Sequence, residues 1–323
     1  SSLPIKKVQK DLSNPDQLKS LFKKCDIVIN AVPGFMGFNT LKEIIKAKKN
    51  VVDIAFFPED PFELDELAKQ NNVTAIVDCG VAPGMSNLLT GYINSILDKT
   101  ETILIFVGGL PIERDYPFEY KAGFSPIDVI EEYLRPARYI ENGKLVVRPA
   151  LSDPELIHFD EVGTLEAFNS DGLRTLAKTL TAPNMKEKTL RYPGHIEKIQ
   201  VLRESGFFSE KEVDVNGVKI KPIDFTSKLL FPMWELKEGD EEFTVMKIIV
   251  EGEKDKKKIR YTYNLLDRHD KKTNIHSMAR TTGYTATTVV RLLAKGMFNQ
   301  KGICPPEYSG QKSEWVDFVL DGL

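Results

Sequence analysis

Apolar residues in the first ninety positions come in short runs separated by helical periodicities. Residues 5–8 lead to Asp11 and read as a strand ending in an acid. Ser13-Asn14-Pro15-Asp16 is a helix start with proline in the first turn, and Leu18, Leu21 and Phe22 carry the helix onward. Asp26-Ile27-Val28-Ile29-Asn30-Ala31-Val32 contains a continuous apolar run rather than an alternating one, and Pro33-Gly34 breaks it. Continuous apolarity predicts a strand covered on both faces, as in a parallel sheet. A helix over 40–48, a strand over 51–55, a helix over 63–70 and a strand over 74–78 follow. This short-spaced β-α-β-α-β-α-β order predicts a doubly wound α/β sheet.

The last of these strands runs into Asp78-Cys79-Gly80-Val81-Ala82-Pro83-Gly84, and a helix opens at Ser86-Asn87. Strand, glycine turn and helix place ligand groups at the carboxyl edge of a parallel sheet. Unpaired amides at a helix start also attract acceptors. From Thr102 the pattern changes. A strand over 103–107 is closed by Gly108-Gly109, and Ser125-Pro126-Ile127-Asp128 opens a helix that turns Val129, Ile130 and Tyr133 inward. Asn142-Gly143 is a two-residue hairpin turn. Strands are expected over 219–223, 244–251 and 258–264. Antiparallel strands after a parallel start predict a second, α+β domain with a mixed sheet. Its face would pack over the carboxyl edge of the first sheet, where clefts form. A helix over 277–295, with Val289, Val290, Leu292 and Leu293, is expected to return to the first domain.

At 323 residues the chain has room for about two domains. Its 41% hydrophobic and 28% charged composition is that of a soluble globular protein, and a net charge of −3 gives no reason to expect nucleic acid or an anionic membrane. No apolar run reaches the roughly 18–20 residues of a membrane span, and no signal peptide is evident. Cys25, Cys79 and Cys304 are too widely spaced for a disulfide framework or a zinc site. His269 and His276 stand too far apart, with too few acid or thiol companions, for a metal to be expected. A cytoplasmic protein is the expectation.

A dinucleotide-binding sheet normally opens with a strand, a G-x-G-x-x-G turn and a helix. The sequence contains no such run. Either its first forty or so residues are absent from the chain, or the fold binds no dinucleotide. An open sheet starting at its third strand would leave a long apolar edge unpaired, which favours the first explanation.

Six ordered stretches resemble the saccharopine dehydrogenase family, closest to its lysine 6-dehydrogenase branch: 29–33, 78–87, 107–111, 131–138, 189–195 and 277–283. The resemblance spans nearly the whole chain. It implies a Rossmann-type nucleotide-binding domain over 1–98 and 278–323, and a substrate-binding and dimerisation domain over 99–277. Asn30, Ala31, Val32 and Pro33 would face the nicotinamide, Asp11 would lie near the adenine, and Asp53, Ala82, Pro83 and Gly84 would complete the cofactor side. Thr189, Leu190 and Arg191 match the family's substrate carboxylate clamp, a task that suits the planar fork of arginine. Saccharopine reductases carry an acid where this chain has Ala82 and an arginine where it has Ser170. That arginine helps hold an extra carboxylate, so its loss implies a smaller, less acidic substrate.

An amino-acid dehydrogenase must hold a C–H bond against the nicotinamide and let the amine lose a proton. Asp171 or Asp53 would orient an ε-ammonium. His195, four residues beyond the clamp, is a candidate proton acceptor, since its unperturbed pKa is near neutrality. Tyr120-Lys121 is another, and Cys79 is a candidate thiol. Each also reads as an ion pair, a cap, a packed ring or an inert buried thiol. The expected activity is oxidative deamination of L-lysine at its ε-carbon with NAD or NADP, NAD favoured, by a homodimer meeting through the aromatic stretches 116–124 and 207–208. The alternatives are a saccharopine or carboxynorspermidine-type reductase and a non-catalytic dimeric binding protein.

Overall fold

The computed structural model describes residues 5–323. Asn14 starts the first helix, α1 (Pro15–Phe22), by accepting from the amides of Asp16 and Gln17, which gives partners to donors that a helix start leaves open. The continuous apolar run becomes β1 (Ile27–Asn30). The next helix, α2 (Gly34–Lys46), begins well before the expected residue 40 because Pro33 is its N-cap. Proline there has no amide to leave unsatisfied and a φ already suited to helix entry. Its Leu41, Ile44 and Ile45 are fully buried, and each such side chain contributes about 1.5–3 kcal/mol.

β2 (Asn50–Asp53), a 3-10 turn (Pro61–Leu64), α3 (Asp65–Gln70), β3 (Thr74–Ile76) and α4 (Met85–Ile96) follow. β1, β2 and β3 pair in parallel. Residues 5–11, expected to contain a strand, are exposed and join no sheet. Extended backbone becomes a strand only where a neighbour takes its amides and carbonyls.

The second half opens with β4 (Lys99–Pro111), α5 (Pro126–Leu134), β5 (Ala137–Glu141) and β6 (Lys144–Arg148). Then come β7 (Glu155–Phe159), β8 (Gly163–Asn169), α6 (Leu176–Thr179), β9 (Asn184–Arg191) and α7 (His195–Glu204). A small hairpin, β10 (Val213–Val215) and β11 (Val218–Ile220), precedes α8 (Pro222–Trp234), β12 (Glu242–Lys254) and β13 (Lys257–Arg268). The strand expected over 219–223 therefore stops at Ile220. Pro222 opens a helix, which commits Ile223 to helical geometry.

The eight-stranded mixed sheet has the order β13-β12-β4-β9-β5-β6, with β8 also on β9 and β7 on β8. β4 and β9 run parallel and the other pairs antiparallel. Asn142-Gly143 turns the β5–β6 hairpin with positive φ at both residues, as a two-residue turn requires.

The chain then returns to the first sheet. α9 (Ser277–Ala294) packs on β1, β2 and β12. β14 (Gly302–Ile303), which the apolar pattern did not reveal, pairs in parallel with β3, and α10 (Pro306–Ser309) and α11 (Ser313–Leu320) end the chain. The parallel sheet is Rossmann-like, with β2 and β3 covered on both faces, whereas the edge strand β1 leaves Ile29 43% exposed and does not have the two-sided cover its apolar run predicted. Val51 and Ala75 meet the α1–α3 layer, while Val52 and Ile76 share a core with Leu88 of α4, Leu292 of α9 and Ile103 and Met246 of the mixed sheet. Among the described residues no helix is long and apolar enough to cross a membrane.

Candidate active site

A cleft of about 310 Å³ lies where the carboxyl ends of β1, β2 and β3 meet β4 and β9. One wall is Ala31, Val32 and Pro33 after β1, residues 54–56 after β2, and the turn after β3, including Ala82 and Pro83. That turn closes because Gly84 adopts φ 141°, and a Cβ there would overlap the Gly80 carbonyl. Only glycine fits such a backbone. The wall is apolar side chain and backbone, which fits the flat ring of a nicotinamide. The glycine-rich phosphate cradle has no counterpart in the sequence.

β9 forms the opposite wall. Successive side chains on a strand point to opposite faces, so Glu187, Thr189 and Arg191 line the cleft while Leu190 packs behind the sheet with Phe106 and Phe243. Of the three residues expected to form a clamp, Thr189 and Arg191 therefore face the cleft and Leu190 faces away from it. Arg191 is only 2% exposed. Its Nε donates to the Tyr133 hydroxyl (3.2 Å), Nη1 to the Leu190 carbonyl (2.9 Å) and Nη2 to Glu132 (2.8 Å). The guanidinium lies 4.4 Å from the centre of the Tyr120 ring, a cation–π contact strengthened by burial.

Glu187 accepts from Ser170 Oγ (2.7 Å) and from the Gly172 amide (3.1 Å), both on Oε2. Ser170 Oγ also meets Thr189 Oγ1 at 2.7 Å. Burial pushes the Glu187 pKa up to about 8, with Glu132 and Asp171 adding to the shift and the Ser170 and Gly172 bonds opposing it. A Cβ at residue 172 would overlap the Glu187 carboxylate as it is held here and force that side chain to move.

The other cleft carboxylates are Asp78, Asp128 and Glu132. Asp78 is gripped by Arg174 through Nε and Nη2 at 3.0–3.2 Å, and Arg174 Nη1 donates to the Phe57 carbonyl at 2.6 Å. Asp128 of α5 accepts from the Gly34 amide (3.2 Å), giving the start of α2 a partner from across the cleft. Burial raises the Glu132 pKa and Arg191 opposes the rise.

Several expected site residues are engaged elsewhere. His195 is 1% exposed and does not line the cleft. Its Nδ1 meets the Phe118 carbonyl at 2.8 Å and must donate, so the neutral ring accepts the Tyr133 hydroxyl at Nε2 (2.9 Å). Burial, with Arg191 nearby, lowers its pKa to about 3. It is a support for Tyr133 and Arg191 rather than a proton acceptor. Tyr120 is buried under the Arg191 guanidinium, with burial raising its pKa. Asp171 is held by Arg138 through Nε (2.8 Å) and Nη2 (2.7 Å), which leaves it no place in the cleft.

Asp53 is fully buried beneath the strand ends. It accepts from Asn30 Nδ2 (2.6 Å) and the Ala55 amide (2.7 Å), and burial pushes its pKa up to about 7. Asn30 and Asp53 therefore brace the wall from behind, and neither faces the cleft. Asp11 is exposed and bonded to Ser13, and Gly84 is turned to Asn87, so neither lines the cleft. Burial raises the Cys79 thiol pKa, the condition of an inert thiol. His269 and His276, expected to be far apart, face each other with ring centroids 4.8 Å apart. Glu187, Glu132 and Arg174 had no individual sequence signal, and Asp78 and Asp128 were marked only as a strand end and a helix start. For Glu187 the available one was its two-residue spacing from Thr189 and Arg191.

Residues 80–323 match the saccharopine dehydrogenase C-terminal domain, and residues 1–76 match the saccharopine dehydrogenase NADP binding domain. The chain is 28% identical over 214 residues to a saccharopine dehydrogenase (NADP(+), L-glutamate-forming) from Pyricularia oryzae, covering 62% of this chain and 48% of that protein. It is 32% identical over 137 residues to the mitochondrial alpha-aminoadipic semialdehyde synthase of Rattus norvegicus, covering 41% and 15% respectively. To the carboxyaminopropylagmatine dehydrogenase of Synechocystis sp. it is 22% identical over 294 residues, 86% of this chain and 73% of that protein. The chain thus spans about half or less of the length of the first two. The apo saccharopine dehydrogenase (L-Glu forming) of Saccharomyces cerevisiae shares its fold, with a TM-score of 0.75 at 18% identity over 97% of this chain and 85% of that one.

Proposed function

The chain belongs to the saccharopine dehydrogenase family, and from that premise we propose that it is an NAD(P)-dependent oxidoreductase that deaminates L-lysine oxidatively at the ε-carbon. The observation that carries this reading is the charge inventory of the cleft. Among the described residues lining it, Arg191 is the one cation, facing four carboxylates: Asp78, Asp128, Glu132 and Glu187. A ligand with one carboxylate and a cationic amine complements that inventory, whereas a second carboxylate would meet like charge. Ser170, a neutral hydroxyl bonded to Glu187, offers no second anchor for an anion.

In this reading Arg191 holds the α-carboxylate. Three of its five N–H groups are engaged by protein acceptors, which leaves one on each terminal nitrogen for a two-point grip. Tyr120 beneath and Tyr133 beside fix the fork in advance, so less freedom is lost on binding. The apolar wall at 31–33, 54–56 and 80–83 orients the side chain and keeps water from the carbon. The nicotinamide, when bound, supplies the hydride acceptor.

Steady-state assay of the full-length protein with L-lysine and either NAD or NADP tests the proposal, the expected result being reduced nicotinamide without an added carbonyl partner. Turnover of saccharopine with none of lysine overturns it. A second reading, a reductase joining an amine to a semialdehyde, fits the same charge inventory and is favoured by the long similarity to the carboxyaminopropylagmatine dehydrogenase. An absolute requirement for both partners identifies it. The proposal includes a homodimer. Tyr116 and Phe207 are 87% and 45% exposed, while Tyr120 and Phe208 within the same stretches are buried. Sedimentation equilibrium tests it, a monomer being the adverse result.

A further inference from the structure

Among the four cleft carboxylates, Glu187 alone has neither a cation nor a helix start as its partner among the described residues. Asp78 has Arg174, Glu132 has Arg191, and Asp128 has the Gly34 amide at the start of α2. Glu187 has one hydroxyl and one amide, both on Oε2, and Oε1 carries no bond. The surroundings are built to hold that carboxyl in place. Gly172 permits the amide approach, and Ser170 is itself fixed by Thr189. Strand geometry sets Glu187 and Arg191 on the same face, about 13 Å apart along β9, with Thr189 between them. An acid at one end and a guanidinium at the other make a two-ended site for a molecule with an amine and a carboxylate at opposite ends.

We propose that Glu187 receives the substrate's terminal ammonium group and takes the proton that its nitrogen releases before oxidation. The proposal rests on the oxidoreductase reading above and assigns the amine end of its substrate. The N–H bond breaks with its electron pair left on nitrogen, and the proton passes to Oε1 of Glu187. The neighbouring C–H bond would then give up its electron pair as hydride, which the nicotinamide would accept when bound, while the nitrogen lone pair closes C=N. Water hydrolyses the resulting iminium to aldehyde and ammonium. The charged groups facing Glu187 are Glu132 from α5 and Asp171 after β8, both of which raise its pKa, with Arg191 further along its own strand. A base with a pKa of about 8 is matched to proton transfer near neutral pH.

Glu187→Gln keeps the shape and the Ser170 contact while removing the base. The expected loss in kcat/KM for L-lysine is about 100-fold or more. The wild-type rise in kcat/KM up to about pH 8 should flatten in the variant. Calorimetric titration with L-lysine and with L-norleucine, which lacks the terminal ammonium, reads recognition without turnover. Above about pH 8, where Glu187 is ionised, the wild type should prefer lysine by about tenfold or more, and Glu187→Gln should lose that preference, as loss of a charge-assisted bond requires. An unchanged pH limb or a retained preference overturns the assignment. Absence of lysine turnover in the wild type strikes the activity reading alone, because the titration still reports the Glu187–ammonium pair. Should Glu187→Gln fail to fold, Ser170→Ala removes a bond that lowers the Glu187 pKa. The rising limb should then move to higher pH, and a limb that stays put overturns the proposal.

Discussion

Replacing Arg191 with lysine separates a carboxylate clamp from a structural arginine. Alanine is unsuitable for this purpose. It would leave Glu132, a partly buried carboxylate that takes an Arg191 bond at 2.8 Å, without its partner, and so mix a loss of stability with a loss of binding. Lysine keeps the positive charge beside Glu132 but loses the fork, so one of two bonds to the substrate carboxylate disappears. A hydrogen bond to a charged group contributes about 1.5–3 kcal/mol, which at about 1.4 kcal/mol per tenfold is a 10- to 150-fold weakening. Such an interaction is as strong in the ground state as in the transition state. KM for L-lysine should rise by that factor while kcat changes less than about threefold. 1,5-Diaminopentane, which has no carboxylate, serves as the internal control: its kcat/KM should be unchanged in Arg191→Lys. Nucleotide affinity, read by fluorescence titration, should be unchanged as well. A lysine KM that stays within about threefold of wild type refutes the clamp, and so does an equal loss with both substrates.

The Asp78–Arg174 pair joins the turn after β3 to the loop after β8, with both side chains almost fully buried. Asp78→Asn and Arg174→Met should each cost about 3–5 kcal/mol in urea unfolding. The double variant should fall short of their sum by about 1–3 kcal/mol, and zero coupling removes the pair from the account. His195→Asn should cost about 1–3 kcal/mol by leaving the Tyr133 hydroxyl or the Phe118 carbonyl unpaired, while the pH profile of kcat/KM keeps its shape. A lost pH limb in that variant would return His195 to the catalytic machinery. Asp53 should titrate near pH 7 in carboxyl carbon NMR, because burial favours its protonated form. Its folded pKa lies above the unfolded value, so the folded state binds the extra proton and this group's contribution to stability falls as pH rises from about 4 to about 7. Titration near pH 4 would show that water reaches it.

What was readable along the chain depended on whether an element's signal is local. Asn14-Pro15 announces a helix by capping and proline geometry, and Ser125-Pro126 by proline geometry without a side-chain cap, because both act within one turn. Asn142-Gly143 announces a hairpin because two positive φ angles are needed at adjacent residues. Ile27, Val28 and Ile29 announce a strand by their apolar run, but β1 is the edge of its sheet and Ile29 is 43% exposed, so two-sided cover did not follow. β9 is the counterexample. Its cleft-facing positions are Glu187, Thr189 and Arg191, so the side that would normally advertise a strand by apolarity carries the chemistry instead. A strand that breaks the pattern in this way is what a functional wall looks like from the chain alone. The same residues show why the arginine drew notice along the chain and the acid four residues before it did not. The arginine carries its charge in any surroundings. Glu187 becomes a proton-holding group only when burial, a hydroxyl and an amide from β8's following loop converge on it. His195, Tyr120 and Asp171 failed for the complementary reason. Each is near Arg191 or Glu187 in space, but Tyr133, the guanidinium face and Arg138 claim them first. Proximity in the chain nominates a catalytic residue, and the hydrogen-bond partners it already has decide whether it can serve.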